Sequence, residues 1–369
     1  MKRVVIIGGG VFGSMHAYFA LKRGYQVIQC ERDIQAQSAS VRNFGLVWVS
    51  GRAAGPELEL AIRSRYLWGE IGDSLGSIGF RSNGSLTIAK NEAELAIVAE
   101  AAKMDDARVR GFEALTRAEV QEIEPALNGN YLGALRCNLD AALEPELLFV
   151  GLRKYLLENK NYSWVNNFEV SEIKNFQDSF KVEDTFGKSI EGDQVFICTG
   201  AFHKGFLRDA LKDEAIRRVR LQMGATEVLS IGIGHSLADG DSFRYYPAFK
   251  NLSLANLPPQ KPIAKAKAMQ LLAVQRLDGS VTIGDTHEYE EPFDHELHEE
   301  PYEHLREVLG GFLGKGSPKL VRRWEGIYSQ VTSKEIYFRK EIHPGVEIVT
   351  GGGGRGNTLA PAIAEESFK

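Results

Sequence analysis

Apolar residues enter this chain in short blocks whose period changes repeatedly. Val4–Ile7 is a continuous apolar run ended by Gly8-Gly9-Gly10, the pattern of a strand buried on both faces. From Val11 the spacing becomes helical: Phe12, Met15 and Phe19 share a face, and Gly24 stands where a C-cap belongs. This predicts a helix over Val11–Arg23. Tyr25–Cys30 is apolar again and ends at Glu31, which completes a strand–helix–strand unit of about thirty residues.

Further along, Gly84–Ala89 reads as a strand and Glu92–Lys103 as a helix. Thr116-Arg117-Ala118-Glu119 has capping-box spacing and starts a short helix. Pro145 sits where a proline opens a helix, running to about Glu158. Trp164–Val170, Phe180–Asp184 and Val195–Cys198 read as strands. Leu221–Leu229, Met269–Arg276 and Ser280–Gly284 alternate as antiparallel strands do, with Asp278-Gly279 as a tight hairpin between the last two. Pro301–Phe312 is helical, and Val346–Val349 is a last buried strand before Gly351–Gly354. Dinucleotide-type segments thus lie at both ends and in the middle. The expected class is α/β with α+β character. A Rossmann-like domain over residues 1–79, 140–215 and 335–369 interleaves with a mixed, largely antiparallel sheet domain over 80–139 and 216–334.

Composition narrows the function classes. The net charge of −5 gives no electrostatic reason to expect nucleic acid or membrane as a partner. Cys30, Cys137 and Cys198 are far apart and odd in number, which fits neither a disulfide framework nor a zinc site and suggests the cytoplasm. Met1-Lys2-Arg3 leads straight into the first strand, without the pattern of a secretory signal. Asp294-His295-Glu296-Leu297-His298-Glu299-Glu300 looks superficially like a metal cluster, but its density of acids and nearby prolines suggest a solvated loop and helix start, and no metal is expected.

The chemistry sits in the glycine-rich segments. Gly8, Gly10 and Gly13 form G-x-G-x-x-G after a strand and before a helix, with Val11 and Phe12 inside it. One glycine permits the turn, one lets backbone approach a pyrophosphate, and one lets helix pack on strand. The helix N-terminus offers N–H groups to phosphate. Glu31, 18 residues after Gly13, is placed to accept ribose hydroxyls, with Arg32 beside it. This motif alone leaves FAD and NAD open. Three further segments add to it: the polar loop containing Ser40, Arg42, Asn43 and Gly45; Thr199-Gly200-Ala201 after a buried strand, with Val170 a candidate adenine contact; and Thr350 to Pro361, where Gly353, Gly354, Arg355, Gly356, Asn357 and Thr358 open a helix toward an anion or a flavin carbonyl.

Together these segments, with Gly133-Ala134-Leu135, Leu143-Glu144-Pro145 and Arg323-Trp324-Glu325-Gly326, resemble the D-amino-acid oxidase superfamily of FAD enzymes, near glycine oxidase and sarcosine oxidase. The resemblance implies FAD as cofactor and hydride transfer from a carbon bearing nitrogen to flavin N5. The resulting imine hydrolyses, and oxygen is reduced to hydrogen peroxide. Gly284-Asp285-Thr286-His287-Glu288-Tyr289 and Trp324-Glu325-Gly326-Ile327-Tyr328 resemble the phosphonate-metabolism branch, which implies an aminophosphonate such as 2-aminoethylphosphonate or its N-methyl form. A small amino acid such as sarcosine is second. Where related amino-acid oxidases place an arginine after Trp-x-Gly, this chain has Tyr328, and the position of a second arginine is Gly354, next to Arg355. A two-arginine carboxylate clamp is therefore not expected. Arg244, Arg276, Lys334 and Arg355 are the candidate cations, and Tyr245, Tyr246, His287 and Tyr328 the candidate cavity residues. No cysteine follows Cys198, so FAD is expected to be non-covalent. The rival readings are a dehydrogenase with another electron acceptor, a non-catalytic FAD redox sensor and an NAD(P) dehydrogenase. Oligomeric state stays open.

Overall fold

The computed structural model describes every residue except Ser77. Arg3–Ile7 lies at the centre of a six-stranded sheet, parallel to Gln26–Cys30 on one side and Gln194–Ile197 on the other. Tyr162–Val165 extends one edge and Val346–Thr350 the other, both in parallel register, and Phe338–His343 closes the sheet antiparallel. Alternation along the first strand explains the layers. Val4 and Ile6 face a core shared with the helices Val11–Lys22, Pro56–Leu75 and Gly356–Glu366. Val5 and Ile7 face the opposite side, where Val170–Phe176, Ser179–Asp184 and Ser189–Gly192 form a small antiparallel sheet. Covered on both faces, the strand has no polar position to spare, so it reads as a continuous apolar run.

The second large sheet has eight strands. Leu320–Val331 and Ile216–Thr226 pair antiparallel over their whole length, followed by Val281–Gly284, Leu272–Gln275, Ser236–Ala238, Ser85–Ala89, Gly133–Cys137 and Phe112–Thr116. Ala273 and Ile283 pack under the helix Glu299–Leu313 through Leu305, Leu309 and Phe312. Leu272 and Val274 point the other way, toward Phe44, Leu46 and Trp48. Arg276 braces the two halves. Its guanidinium donates to Thr282 Oγ1 at 2.9 Å, to the Leu143 carbonyl at 3.1 Å and to the Asn43 carbonyl at 2.9 Å. These bonds engage it structurally, which removes it from the candidate substrate cations.

Some elements depart from expectation. Trp164–Val170 is not one strand: Tyr162–Val165 belongs to the parallel sheet and Val170–Phe176 to the small one. The break is Asn167, at φ +51°, a backbone state asparagine tolerates better than most residues. The strand expected over Leu221–Leu229 runs from Ile216 to Thr226. Arg217, Arg218 and Arg220 disguise its start; Arg220, nearly buried, pairs with Glu288 at 2.9 Å and Glu325 at 2.6 Å. The twenty-residue helix Pro56–Leu75 carried readable signals that the sequence reading passed over: proline at its first turn, and Leu58, Ala61, Leu67, Trp68 and Ile71 on one buried face. The capping box at Thr116 and Glu119 and the helix from Pro145 form as expected. No helix among the described residues is long and apolar enough to cross a membrane.

Candidate active site

A cavity of about 470 Å³ runs between the two large sheets. One end is built by the first strand–helix turn. Gly8 has φ +115°, and a Cβ there would lie 2.5 Å from the Cys198 carbonyl. A Cβ on Gly13 would lie 2.1 Å from the Gly8 carbonyl. These two glycines let strand and helix touch, and Gly13 does not itself line the cavity. Glu31 lies on the wall; its carboxylate accepts the Gly9 N–H at 2.7 Å and the Asp33 N–H at 3.2 Å. Ser40 Oγ accepts the Val11 N–H at 3.0 Å, so the loop after Glu31 is tied to the helix N-terminus. Thr350 to Asn357 forms the facing wall, its Thr350 hydroxyl donating to the Gly200 carbonyl at 2.9 Å.

The other end is polar. Arg52, about 4% exposed, and Arg355 both face Glu57, at 3.5 and 3.4 Å. Two cations against one anion leave this corner with net positive charge. The Arg52 guanidinium lies 5.5 Å from the centre of the Tyr246 ring. Beyond that ring, Gln270 Nε2 donates to the Tyr246 hydroxyl at 3.3 Å, and the Asp285 N–H donates to the Gln270 carbonyl at 3.2 Å. Tyr245 donates to His287 Nε2 at 2.7 Å, while His287 Nδ1 donates to the Ala268 carbonyl at 2.9 Å. Burial drives the phenols of Tyr245, Tyr246 and Tyr328 well above the usual tyrosine range, so all three are neutral. Trp48 Nε1, Arg52 Nε, Gln270 Oε1, Asp285 Oδ1 and the Tyr328 hydroxyl are buried on this wall with no protein hydrogen-bond partner. Buried polar atoms are nearly always satisfied in native proteins. Five around one cavity mark the place where a polar ligand supplies the partners.

The sequence profile of the DAO family, described as FAD dependent oxidoreductase, matches residues 3–367. The chain belongs to this family. Among solved structures it is similar to glycine oxidase from Bacillus cereus, with TM-score 0.80 and 21% identity over 100% of this chain and 94% of that one. Glycine oxidase from Geobacillus kaustophilus gives TM-score 0.78 and 20% identity, covering 99% and 93%. Iminodiacetate oxidase from Chelativorans sp. BNC1 gives 0.74 and 19%, again covering 99% and 93%. At these identities the likeness speaks for the fold. A curated relative, one of the subunits of opine oxidase from Rhizobium meliloti, is 27% identical over 208 residues, 53% of this chain. The matched region spans 56% of that relative's length.

The cofactor of this FAD-dependent oxidoreductase fits the elongated cavity. Glu31 stands where a ribose would bind, and the helix N-terminus at Gly10 and Val11 where a pyrophosphate would lie. The loop from Gly351 to Gly356 would border the flavin; Gly354 leaves its Cβ space open toward the Tyr328 hydroxyl. When bound, FAD supplies a two-electron acceptor. Cys30 and Cys198 touch the cavity, but burial pushes both thiols far up, which makes them poor nucleophiles.

The sequence-derived candidates divide by position. Gly8, Gly10, Val11, Phe12, Glu31, Arg32, Ser40, Arg42, Asn43, Val170, Thr199, Gly200 and Gly353 to Asn357 line the cavity, as do Tyr246, His287 and Tyr328. Gly13, Gly45, Thr358 and Arg244 do not. Gly45, at φ +74°, lets its segment approach Leu143. Thr358 accepts the Trp48 N–H at 2.9 Å. Arg244 is turned away, pairing with Asp241 at 3.4 Å and donating to the Pro258 carbonyl. Lys334 is exposed and outside the cavity. Asn43 reaches the wall, but its amide group is engaged by Ala39, Ser40, Gly45 and Asn357, so it shapes the loop. Arg52, Glu57, Trp48 and Gln270 carried no motif and were missed. Asp285 was visible within Gly284–Tyr289 but was not singled out.

Proposed function

We propose that this FAD enzyme oxidises the C–N bond of a small zwitterionic amine by hydride transfer. One observation carries the reading: the polar end of the cavity is electrically two-sided. Arg52 and Arg355, offset only by Glu57, suit an anionic group, and Asp285 on the same cavity, with an unpartnered oxygen, suits an amine. The buried tyrosines between them exclude water and pack against the short carbon chain. In this reading residues 1–79, 140–215 and 335–369 hold non-covalent FAD, and 80–139 and 216–334 hold the substrate.

The first substrate class is an aminophosphonate, 2-aminoethylphosphonate or its N-methyl form. The motif resemblance supports it, and so does a cationic corner that pairs Arg52 with Arg355 where Tyr328 replaces the usual arginine. The second is a small amino acid with a substituted nitrogen. Two similar proteins are named for iminodiacetate and for opines, which favours that class. Oxygen is the proposed terminal acceptor. An anaerobic visible spectrum of the holoprotein tests the reading, taken during titration with 2-aminoethylphosphonate, its N-methyl form, glycine, sarcosine, iminodiacetate and D-alanine. Bleaching of the flavin band by one of these is the expected result, with peroxide release in air. A yellow protein that none of them bleaches overturns it, and bleaching without oxygen uptake identifies a dehydrogenase.

A further inference from the structure

We infer that Asp285 is the proton acceptor for the substrate amine, a catalytic role that rests on the amine-oxidation reading above. Asp285 follows directly on the strand Val281–Gly284, and its backbone is pinned by the Gln270 carbonyl. Its side chain lines the cavity at about 7% exposure. Oδ1 has no hydrogen-bond partner. Among the described residues no arginine or lysine pairs with it. The nearest titratable neighbour is His287, whose Nε2 lies 3.7 Å from Oδ2 and accepts a hydrogen bond from the Tyr245 hydroxyl.

A buried carboxyl with a free oxygen and no cation is costly to retain for packing alone. The groups facing it come from every neighbouring element: Gln270 from the preceding strand approach, Tyr245 and Tyr246 from the helix Asp241–Tyr245 and its cap, His287 and Tyr289 from its own loop, and Tyr328 from the long strand. Apart from the His287 imidazole all are amide or phenol. Burial, the largest influence, raises the Asp285 pKa, and His287 partly opposes it. The carboxylate is thereby a stronger base than an exposed aspartate, while Arg52 is paired with Glu57 and not with Asp285.

The chemistry requires such a group. A small aliphatic amine arrives as an ammonium, and its nitrogen has no lone pair to form the C=N bond. Asp285 takes one N–H proton: the N–H bond breaks, an O–H bond forms on the carboxyl, and the nitrogen keeps the electron pair. Bound FAD would be the two-electron oxidant: the adjacent C–H hydrogen would leave with its electron pair, and the nitrogen pair would close the C=N bond to give an iminium. Tyr328, with its own unpaired hydroxyl, is placed to hold the nitrogen in line. General-base assistance of this kind contributes about 10²–10⁴-fold.

The test is anaerobic stopped-flow bleaching of the wild-type and Asp285→Asn holoenzymes against pH, with whichever panel amine bleaches the wild type. Asp285→Asn is expected to keep its flavin spectrum and to bleach about 100-fold more slowly at pH 7. The deficit closes as pH rises toward the amine's own pKa, where the amine deprotonates without help. An unchanged rate and pH profile in Asp285→Asn overturns the inference alone. A wild type that no panel amine bleaches overturns the amine reading and this inference with it. Should the variant fail to retain FAD, the wild type decides, using two reactive amines whose nitrogen pKa values differ by more than one unit. An acidic limb at the same pH for both belongs to Asp285. A limb that moves with the amine pKa overturns the assignment.

Discussion

The fully buried guanidinium of Arg110 donates to the main-chain carbonyl of Arg52 at 2.8 Å. The same nitrogen reaches the carbonyls of Val49 and Ser50 at 3.4 and 3.3 Å, and its other arm pairs with Asp106 at 2.7 Å. From the opposite side Asp140 accepts the N–H groups of Val49 and Ser50 at 2.6 and 2.9 Å. The turn that delivers Arg52 to the cavity is therefore gripped by its carbonyls and by its amides. Arg110→Met leaves three carbonyls and Asp106 without their partner, and is expected to cost about 3–5 kcal/mol in urea unfolding. Arg110→Lys keeps the charge without the fork. Its expected signature is a KM for anionic amines raised roughly tenfold, about 1.4 kcal/mol, with kcat little changed. A folded Arg110→Lys protein with wild-type KM excludes a positioning role.

The cofactor half was the more legible part of the sequence, for a physical reason. Strands covered on both faces must be apolar throughout, and a turn where Gly8, Gly13 and the Cys198 carbonyl crowd together admits only glycine, so both features are written locally. The proposed substrate end is assembled from Arg52, Tyr246, Asp285, Tyr328 and Arg355, which line one cavity only once the two sheets have packed together. Nothing near Arg52 in sequence distinguishes it from a surface arginine. Arg276 shows the converse: it was a reasonable cation from sequence, yet three bonds engage it as a brace.

Arg52 and Arg355 give a second prediction. Charge-assisted bonds from a buried guanidinium to a substrate anion are worth about 1.5–3 kcal/mol each. Arg52→Gln and Arg355→Gln should each raise KM for the anionic substrate by roughly 10–100-fold. An amine of the same length with a hydroxyl in place of the anion should be affected far less. Equal losses for both amines indicate a disturbed cavity instead of a lost anion contact.

Glu31 and Gly13 separate cofactor contact from packing. Glu31→Gln keeps the shape but weakens acceptance of ribose hydroxyls, and the apoprotein should bind FAD about tenfold more weakly while folding normally. Gly13→Ala places a methyl 2.1 Å from the Gly8 carbonyl oxygen, a backbone contact that no side-chain rotation can relieve. That variant should lose stability by about 1–3 kcal/mol or more as well as FAD. Fluorescence titration with FAD and thermal unfolding of the apoprotein distinguish the two outcomes.

Asp239 gives stability a pH-dependent component. It follows the strand Ser236–Ala238, is about 5% exposed, and leaves Oδ1 without a partner. Burial first, then the charge of Asp241, raises its pKa to about 7; Lys90 only partly offsets this. In the unfolded chain the carboxyl ionises near the usual value of about 3.9. Between roughly pH 4 and pH 7 the folded Asp239 therefore holds a proton that the unfolded chain has released, so its own contribution to unfolding stability falls as pH rises through this window, against the opposite slope from His16, whose pKa burial lowers to about 4. This is the reverse of a salt-bridged aspartate, and for a difference of about three units it amounts to roughly 4 kcal/mol. Asp239→Asn removes the ionisation and keeps the shape. Relative to the wild type it is expected to raise the melting temperature at pH 8 and to change it little at pH 5, so that the difference between the two proteins grows with pH. A parallel shift at both pH values, or a variant less stable at pH 8, contradicts a buried neutral carboxyl at this position.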